Sequence, residues 1–497
     1  MKKLISMLLA VSVIGTMAVG LAGCNGGSKA NTLTWVQLGE KPADHDMVME
    51  KVNEIIEPEL GMKLEIQYID SASFNEKTKL KMASGEPFDL IFTGYVNNYQ
   101  NAVEMGGLYD ITDMLDNIQM SDGTVAKMSD AVEQYYIDTA TVQGRVYGIP
   151  NAQVISNPPV FQMRESVVKD TGVDMEALQE AGINNTNEKT AQAYADLITK
   201  ELAKIAEKRP DLYTIQPSNP ITANIFEGMD EGLVIRKDGS SSEILIEAET
   251  EEWKIGVETV RKWYELGYIR SDMASAVDPA SNKEELAKYG MQYQTWKPGQ
   301  NEQSYKEIGE NTLYAFKQNP YVGRTQALLT MISVGANTKH PEEAVKLIYM
   351  MNSNKELFNT LVWGIEGTHY TLNEDGSATL IEGTGYDQIP ATAWRYGNQF
   401  NSLVMDTQPA DVWEQTQKMN NEAIKSPALG FVPDNTNISA EIANIKNVNA
   451  EYKAKINYGT SPVEEWYDDY IADLKTAGIE KVRDELQKQY DEFLANK

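Results

Sequence analysis

The sequence predicts an α/β fold arranged in two lobes. The chain has 497 residues, which is too long for one compact core, and its 42% apolar and 24% charged residues are typical of a soluble globular protein. It opens with an alternating segment, an apolar stripe at helical spacing and a second alternating segment, a βαβ order that favours a parallel sheet. Residues 144–150 then predict a short strand that ends in proline and precedes another strand, as expected where a chain passes between lobes.

The N-terminus has the pattern of a bacterial export signal. Residues 1–3 are Met-Lys-Lys, residues 4–20 are uncharged and mostly apolar, and residues 21–24 are Leu-Ala-Gly-Cys. This pattern resembles a lipobox, which implies a signal peptide at 1–23 and a tether at 24–31 whose Cys24 carries a diacylglyceryl group and a palmitate chain. An uncleaved membrane-anchor helix is the alternative, because the apolar run could nearly span a bilayer.

Charge and cysteine content narrow the possible roles. A formal net charge of −29 excludes non-specific binding of nucleic acid, because the phosphates would be repelled. Cys24 is the one cysteine in the chain, so no disulfide can form within it. The fold therefore has to rely on its hydrophobic core.

Residue patterns predict the elements of the first lobe. Strands are expected at 32–38, 62–69 and 88–93, with helices at 50–60 and 74–83. The loop after the third strand contains Tyr95, Asn97 and Asn98. Ligands of open α/β sheets bind beyond the carboxyl ends of strands, so this is a candidate binding loop. The alternative is that its tyrosine packs on the next helix and its asparagines cap that helix.

The rest of the chain continues the α/β pattern. Helical segments are expected at 170–209, with a polar insertion at 184–187, and at 252–267, 341–351 and 478–494. Turn residues predict hairpins at 237–240 and 373–376. A strand-like run ends at Trp296. Residues 321–324 then lead into a strand at 328–334, which predicts a second passage between the lobes.

Four segments, in this order, resemble one family. They are Phe-Asp-Leu-Ile-Phe at 88–92, Gly-Gly-Leu-Tyr-Asp-Ile-Thr at 106–112, Gly-Arg-Val-Tyr-Gly-Ile-Pro at 144–150 and Pro-Glu-Glu-Ala at 341–344. The chain resembles the carbohydrate-type solute-binding lipoproteins of bacterial ABC importers, the group that includes maltose-binding protein, in a subgroup with a distinctive C-terminal region. It departs from the family at 161–164, where Phe-Gln-Met-Arg stands in place of the usual tyrosine-asparagine-lysine, which weakens a ligand role for Phe161 or Arg164.

The resemblance implies a two-lobed periplasmic-binding-protein fold with hinge strands between the lobes and a ligand cleft. It assigns lobe 1 to 32–147, lobe 2 to 148–322, a return to lobe 1 at 323–362, and lobe 2 with the C-terminal region to 363–497. A third crossing is expected near 363–366, and Arg145 is expected beside Arg324 between the lobes. The hinge residues are expected to be Tyr147, Gly148, Pro150, Gly323 and Arg324.

Enzyme motifs are scarce. The sequence has no Gly-x-Ser-x-Gly, no phosphate loop ending in Gly-Lys-Ser/Thr and no His-Glu-x-x-His. Its three histidines, His45, His340 and His369, lie far apart in the chain, so neither a metal site nor a Ser-His-Asp triad is expected. With 73 carboxylates some pair must lie close by chance, so paired acids are no sign of a glycosidase. We expect no catalytic residues, no metal and no cofactor.

Aromatic residues near amides and charges suit a sugar, whose C–H face stacks on a ring and whose hydroxyls form hydrogen bonds. In the family the second lobe often supplies such a ring, which points to Trp296. For Trp363 and Trp394, packing in the core of the C-terminal part is the alternative. The candidate ligand-binding residues are Trp35, Glu40, Tyr95, Asn97, Asn98, Trp296, Trp363, Glu366, Trp394 and Arg395.

The expected function is capture of a sugar, in particular an oligosaccharide, by closure of the lobes, followed by delivery to ABC permease subunits. The protein is expected to be a monomer, held by lipidated Cys24 on the outer face of the cell membrane. A binding protein for peptides or other polar solutes is the alternative within the same class. An extracellular glycoside hydrolase and a surface adhesion lipoprotein are alternatives from other classes.

Overall fold

The computed structural model describes residues 31–276, 283–386 and 389–496. The predicted signal peptide and Cys24 lie outside these residues. The strands are β1 (Thr32–Leu38), β2 (Lys63–Ile69), β3 (Leu90–Gly94), β4 (Ile118–Gln119), β5 (Val125–Ala126), β6 (Thr141–Val142), β7 (Arg145–Val146), β8 (Gly148–Pro150), β9 (Pro159–Arg164), β10 (Tyr213–Ile215), β11 (Phe226–Asp230), β12 (Leu233–Arg236), β13 (Leu245–Ile246), β14 (Tyr289–Thr295), β15 (Thr312–Phe316), β16 (Tyr321–Val322), β17 (Thr330–Val334), β18 (Tyr370–Leu372), β19 (Ala378–Leu380) and β20 (Ile424–Lys425).

The helices cover both main sheets and form most of the C-terminal part. They are α1 (His45–Leu60), α2 (Ser71–Ala83), α3 (Tyr99–Glu104), α4 (Gln134–Thr139), α5 (Glu165–Thr171), α6 (Met175–Ile183), α7 (Glu188–Lys208), α8 (Glu251–Glu265), α9 (Lys283–Leu286), α10 (Gln300–Ile308), α11 (Pro341–Ser353), α12 (Lys355–Trp363), α13 (Val412–Glu422), α14 (Ser439–Tyr458), α15 (Tyr467–Ala477) and α16 (Ile479–Ala495). Within the ranges described above, no helix has the length and hydropathy needed to cross a bilayer.

Lobe 1 is built on a five-stranded sheet in the order β2-β1-β3-β17-β8. Strand β1 is parallel to β2 and β3, whereas β17 is antiparallel to β3 and β8. Every residue of β3 is buried, as expected for a strand covered by helices on both faces. The carboxyl ends of β1, β3 and β8 therefore share one edge with the start of β17.

Lobe 2 is built on a four-stranded sheet in the order β10-β14-β9-β15. Strand β10 is parallel to β14, and β9 is antiparallel to both β14 and β15. A core formed largely by α7, α8 and the buried faces of β9, β14 and β15 lies on this sheet. The carboxyl ends of β10, β14 and β15 share one edge with the start of β9.

A third core belongs to the C-terminal module, which we define as the antiparallel sheet β11-β12-β13 with α14, α15 and α16. Helix α8 of lobe 2 contributes Trp253 to this core. Its ring stacks on Tyr470 of α15, with the ring centroids 5.9 Å apart. Because α8 serves both cores, the module is attached to lobe 2.

Three segments connect the lobes. The first crossing, 151–158, runs from β8 to β9, and the second crossing, 317–329, runs from β15 to β17. The third passes through β20, which pairs in parallel with β16 of the second crossing. Since the first two crossings each link the carboxyl edge of one sheet to that of the other, the two edges face each other.

The first predicted crossing begins later than expected. Tyr147 donates its backbone N–H to the Tyr99 hydroxyl, and Gly148 and Pro150 pair with β17, so these residues belong to the lobe 1 sheet. Arg145 is on a hairpin of lobe 1, 3.3 Å from Asp110, and the expectation that it lies beside Arg324 is wrong. The predicted boundary between lobes 1 and 2 at residue 148 is therefore too early. Pro150 ends β8, the edge strand of the lobe 1 sheet, and does not lie in the crossing.

The predicted third crossing at 363–366 is also wrong. Trp363, Tyr370, Tyr386 and Tyr396 are buried in the lobe 1 core, so the return to lobe 1 extends well beyond 362. Nothing in the local sequence distinguishes a helix that ends inside a lobe from one that ends at its border. Gly323 and Arg324 do lie in the second crossing.

Candidate ligand-binding cleft

The loop after β3 begins with a turn that requires glycine at position 94. Gly94 has φ +154°, and a Cβ there would lie 2.0 Å from the carbonyl oxygen of Leu329. The Asn97 side chain locks this turn, because its Oδ1 accepts from the Gly94 N–H at 3.0 Å and its Nδ2 donates to the Phe92 carbonyl at 3.1 Å. As a result Tyr95, at the carboxyl end of β3, is 56% exposed.

Tyr95 and Trp394 form an aromatic surface on lobe 1. Their ring centroids are 6.1 Å apart, and both rings pack on the buried ring of Phe92, at 6.4 and 6.2 Å. Trp394 is half-buried, and its carbonyl accepts a hydrogen bond from Asn151 Nδ2 of the first crossing at 3.0 Å. This pair, the lobe 1 aromatic pair, offers a pyranose the exposed Tyr95 ring and the accessible part of the Trp394 ring.

Charged groups flank the lobe 1 aromatic pair. The Arg395 guanidinium lies over the Trp394 ring, 5.0 Å from its centroid, and donates to the carbonyl of Leu38 at the end of β1. Glu40 is exposed two residues beyond Leu38. The structure thus brings four of the predicted ligand residues, Glu40, Tyr95, Trp394 and Arg395, to the carboxyl ends of β1 and β3.

Trp296 lies at the corresponding edge of lobe 2. It follows β14, is half-buried, and donates its backbone N–H to the Pro158 carbonyl at 2.9 Å. Its ring packs on Phe316 at 5.3 Å. A cavity of about 520 Å³ adjoins it, lined by Trp296, Pro298, Asn319, Pro320, Gln415, Lys418, Met419, Glu422 and Ile424.

A buried lysine sits just behind this edge. Lys317 is 6% exposed at the carboxyl end of β15, and its ammonium lies 4.3 Å from the centroid of the Tyr293 ring. Burial, and secondarily the charge of Lys237, lowers the pKa of Lys317 to about 7.

Several predicted ligand residues serve the fold instead. Trp35 is fully buried because β1 is covered on both faces, and Trp363 is 2% exposed with its Nε1 donating to Ser402 Oγ at 2.9 Å. Asn97 is buried, and its side-chain amide forms the two hydrogen bonds that fix the turn at Gly94. Asn98 caps α3, accepting from the Asn101 N–H at 3.1 Å. Glu366 is exposed in the turn after α12, where it forms a β-bridge with Tyr370.

The contribution of α13 to this cavity was not predicted. Its Gln415, Lys418, Met419 and Glu422 line the cavity together with Trp296. The spacing of these residues, i, i+3, i+4 and i+7, could have indicated a shared helix face. It could not have indicated that this face meets Trp296.

The described residues do not form a metal-binding site. Among the described residues, no group of three or more His, Cys, Asp or Glu side chains is placed to hold a metal ion. The cleft instead offers ring faces, amides and isolated charges, which are the groups of a binding site for a polar organic ligand.

Two sheets with facing carboxyl edges, joined by three crossings, define a two-lobed solute-binding fold. A family model described as bacterial extracellular solute-binding protein matches residues 52–365, more than half of the chain. The chain therefore belongs to the bacterial extracellular solute-binding protein family. A second model, a domain of unknown function (DUF3502), matches residues 427–495 and covers α14, α15 and α16.

Similar proteins agree with this assignment. A carbohydrate ABC transporter substrate-binding protein of Streptococcus pneumoniae serotype 4 is 26% identical, over 97% of this chain and 96% of its own length. The crystal structure of the N-glycan transport solute-binding protein NgtS from Streptococcus pneumoniae superposes with a TM-score of 0.75 at 25% identity, covering 94% of this chain and 99% of that one. The NgtS complex with Man5GlcNAc gives a TM-score of 0.65 at 25% identity, covering 94% and 99%. The predicted family and two-lobed α/β fold are confirmed.

Proposed function

We propose that this protein is the substrate-binding component of a carbohydrate ABC transporter, which captures an oligosaccharide between its lobes and delivers it to a permease. The observation that carries the proposal is the presence of solvent-accessible aromatic side chains on both facing edges: the exposed Tyr95 and the half-buried Trp394 on lobe 1, and the half-buried Trp296 on lobe 2. Each ring face suits the C–H face of a pyranose, and the flanking Glu40, Arg395 and Asn319 suit its hydroxyls.

Closure follows from contacts to both lobes. A ligand that touches the rings of lobe 1 and of lobe 2 binds the closed form better than the open one, so it shifts the population toward the closed form. No bond in the sugar has to break. The protein is therefore a carrier and not an enzyme, and similarity to substrate-binding transport proteins supports this.

A mannose-containing N-glycan is the first candidate ligand. NgtS, which this chain resembles over 94% of its length, has been crystallised in complex with Man5GlcNAc. An oligosaccharide also fits a cleft that has separate aromatic surfaces on its two sides, because one sugar ring can occupy each.

A ligand screen on the chain without residues 1–24 tests the proposal. Man5GlcNAc and other oligosaccharides should raise the melting temperature, and chromatography should recover the glycan intact. Stabilisation by peptides alone would favour a peptide importer. Released monosaccharide would mean that the protein is a glycosidase.

Truncation of the cleft tryptophans should weaken binding. Each of Trp296→Ala and Trp394→Ala should raise the Kd by roughly tenfold to hundredfold, because each removes a stacking face and its buried area. Tyr264→Ala is the matched control, since Tyr264 is a half-exposed aromatic residue on α8, where it packs under Arg261. Titration calorimetry measures the three affinities, and equal losses in all three would contradict the assignment of the cleft.

The lipobox-like sequence at 21–24 supports anchoring of the protein through lipidated Cys24 on the outer face of the cell membrane. Cell fractionation checks this anchor. The full chain should be found with membranes, and Cys24→Ala should abolish the incorporation of labelled palmitate. Equal labelling of both chains would contradict it.

A further inference from the structure

We propose that α13 is the wall of a sugar subsite, in which one ring of the ligand stacks on Trp296 and its hydroxyls bond to Gln415, Lys418 and Glu422. This inference rests on the proposed function and deepens it, because it assigns ligand contacts to a helix that lies outside the region matched by the solute-binding family model.

The orientation of α13 is fixed by its buried face. Val412, Thr416 and Asn420 are buried at four-residue spacing along this face. Asn420 Oδ1 accepts from the Ile155 N–H at 3.1 Å and from Ser156 Oγ at 2.9 Å, and its Nδ2 donates to the Gln153 carbonyl at 2.7 Å. These bonds hold α13 along the first crossing, so its neighbouring face is directed into the cavity.

The face of α13 that lines the cavity has polar groups that can form hydrogen bonds with sugar hydroxyls. Gln415, Lys418, Met419 and Glu422 present an amide, an ammonium, a thioether and a carboxylate. Lys418 and Glu422 are 3.9 Å apart and about 70% exposed, so their mutual attraction is weak and both can turn to hydroxyl groups. Amide, ammonium and carboxylate together both donate to and accept from a hydroxyl rim.

The rest of the cavity lining is mostly apolar. Trp296 is braced by Phe316, and Ile424 of β20, which is 52% exposed, extends the apolar surface. Exposed apolar groups beside a half-exposed tryptophan gain from being covered by the C–H face of a sugar. The cavity, at about 520 Å³, falls in the range of roughly 300–1,000 Å³ that is typical of small-ligand sites.

The subsite also bears on closure. Helix α13 leads directly into β20, which pairs with β16 of the second crossing. A ring held between Trp296 and α13 therefore ties lobe 2 to the crossings. The lobe 1 aromatic pair can hold another ring of the same ligand, so a glycan long enough to reach both surfaces should bind more tightly than a single sugar does.

Variants of α13 test the subsite. Calorimetry with Man5GlcNAc, or with whichever glycan stabilises the wild type most in the screen above, would compare Lys418→Ala/Glu422→Ala and Met419→Ala with the wild type. The double variant should raise the Kd by roughly tenfold. The controls are Glu414→Ala and Gln417→Ala, which remove similar side chains from the same helix. Because Glu414 and Gln417 line a different surface cavity, the Kd of each control should stay within about twofold of the wild-type value. Mannose alone, as the short probe, should bind the wild type more weakly than the long glycan does.

The outcomes separate this inference from the proposed function. Unchanged glycan affinity in Lys418→Ala/Glu422→Ala and in Met419→Ala would overturn the subsite but not the proposed function. A wild-type chain that binds no glycan would overturn both. Because all the substituted side chains are at least partly exposed, melting temperatures should stay close to that of the wild type, and this checks that a lost affinity is not lost folding.

Discussion

At the scale of single residues, the buried Lys317 lowers the free energy of unfolding when it is charged. Its ammonium lies against the Tyr293 and Phe161 rings, and the half-buried Lys237 lies near enough to disfavour a second positive charge. The pKa of Lys317 is lowered to about 7 and that of Lys237 to about 8, in both cases mainly by burial. The folded protein therefore holds these protons less tightly than the unfolded chain does.

The sign of the pH dependence follows. Between about pH 7 and the unfolded value of 10.5 the unfolded chain binds more protons at Lys317, so the free energy of unfolding rises with pH across this window. Lys317→Met removes the penalty, so the variant should melt at a higher temperature than the wild type, by more at pH 6 than at pH 9. Lys79→Met, on α2 of lobe 1, is the control. A gain that does not depend on pH would contradict the proposed cause.

Residue identity predicted the aromatic character of the cleft better than it predicted which aromatics face it. Trp296 and Trp394 both lie at sheet edges, as a ligand role requires, whereas Trp35 is fully buried. In a central parallel strand helices cover both faces, and the sequence of the strand alone does not show that cover.

At the scale of elements, the crossings are joined by one buried carboxylate. Glu227 of β11 accepts from Tyr321 Oη at 2.7 Å, from the Arg324 N–H at 2.5 Å and from Ser426 Oγ at 2.5 Å. Arg324 in turn donates to the carbonyls of Met229 at 2.6 Å and Phe431 at 3.1 Å. The second and third crossings are thus fastened to the C-terminal module.

Loss of this carboxylate should destabilise the protein. Glu227→Ala leaves three donors without their acceptor, and we expect a loss of roughly 3 kcal/mol in the free energy of unfolding. Glu243→Ala, which removes an exposed glutamate just before β13, is the control and should change the stability by less than about 0.5 kcal/mol. Urea denaturation measures both. Equal stability of the two variants would mean that the crossings are held by other contacts.

Most elements with a strong local pattern were predicted within a few residues. The strand at 32–38 coincides with β1, and the helices at 74–83 and 341–351 are close to α2 and α11. The helical stretch predicted at 170–209 contains the end of α5 and all of α6 and α7, and the polar insertion predicted at 184–187 separates α6 from α7. Gly172, with φ +71°, ends α5, and Asn187 caps α7 by accepting from the Thr190 N–H at 3.2 Å, so local turn chemistry divides an otherwise continuous apolar pattern.

At the scale of the whole molecule, the lobes are defined by packing and not by chain order. Lobe 1 collects residues that are far apart in the chain, with Leu33 and Tyr396 in one core. The C-terminal module collects β11 to β13 and α14 to α16, which are separated by some two hundred residues that include a return to lobe 1. A one-dimensional pattern predicts that a chain crosses between lobes, but long-range contacts decide where, which is why the boundaries at 148 and 363 were misplaced.

The central claim is that a glycan draws the two carboxyl edges together. Spin labels on Lys41→Cys, beside Glu40 of lobe 1, and Glu302→Cys, on α10 just after Trp296 in lobe 2, would report the width of the cleft in a chain without Cys24. Both positions are exposed, and the remaining chain contains no other cysteine. The pulsed-EPR distance between them should shorten on addition of the glycan identified by the screen, and should not do so in Trp296→Ala at the same glycan concentration. Saturating glycan binding with an unchanged distance would contradict the account.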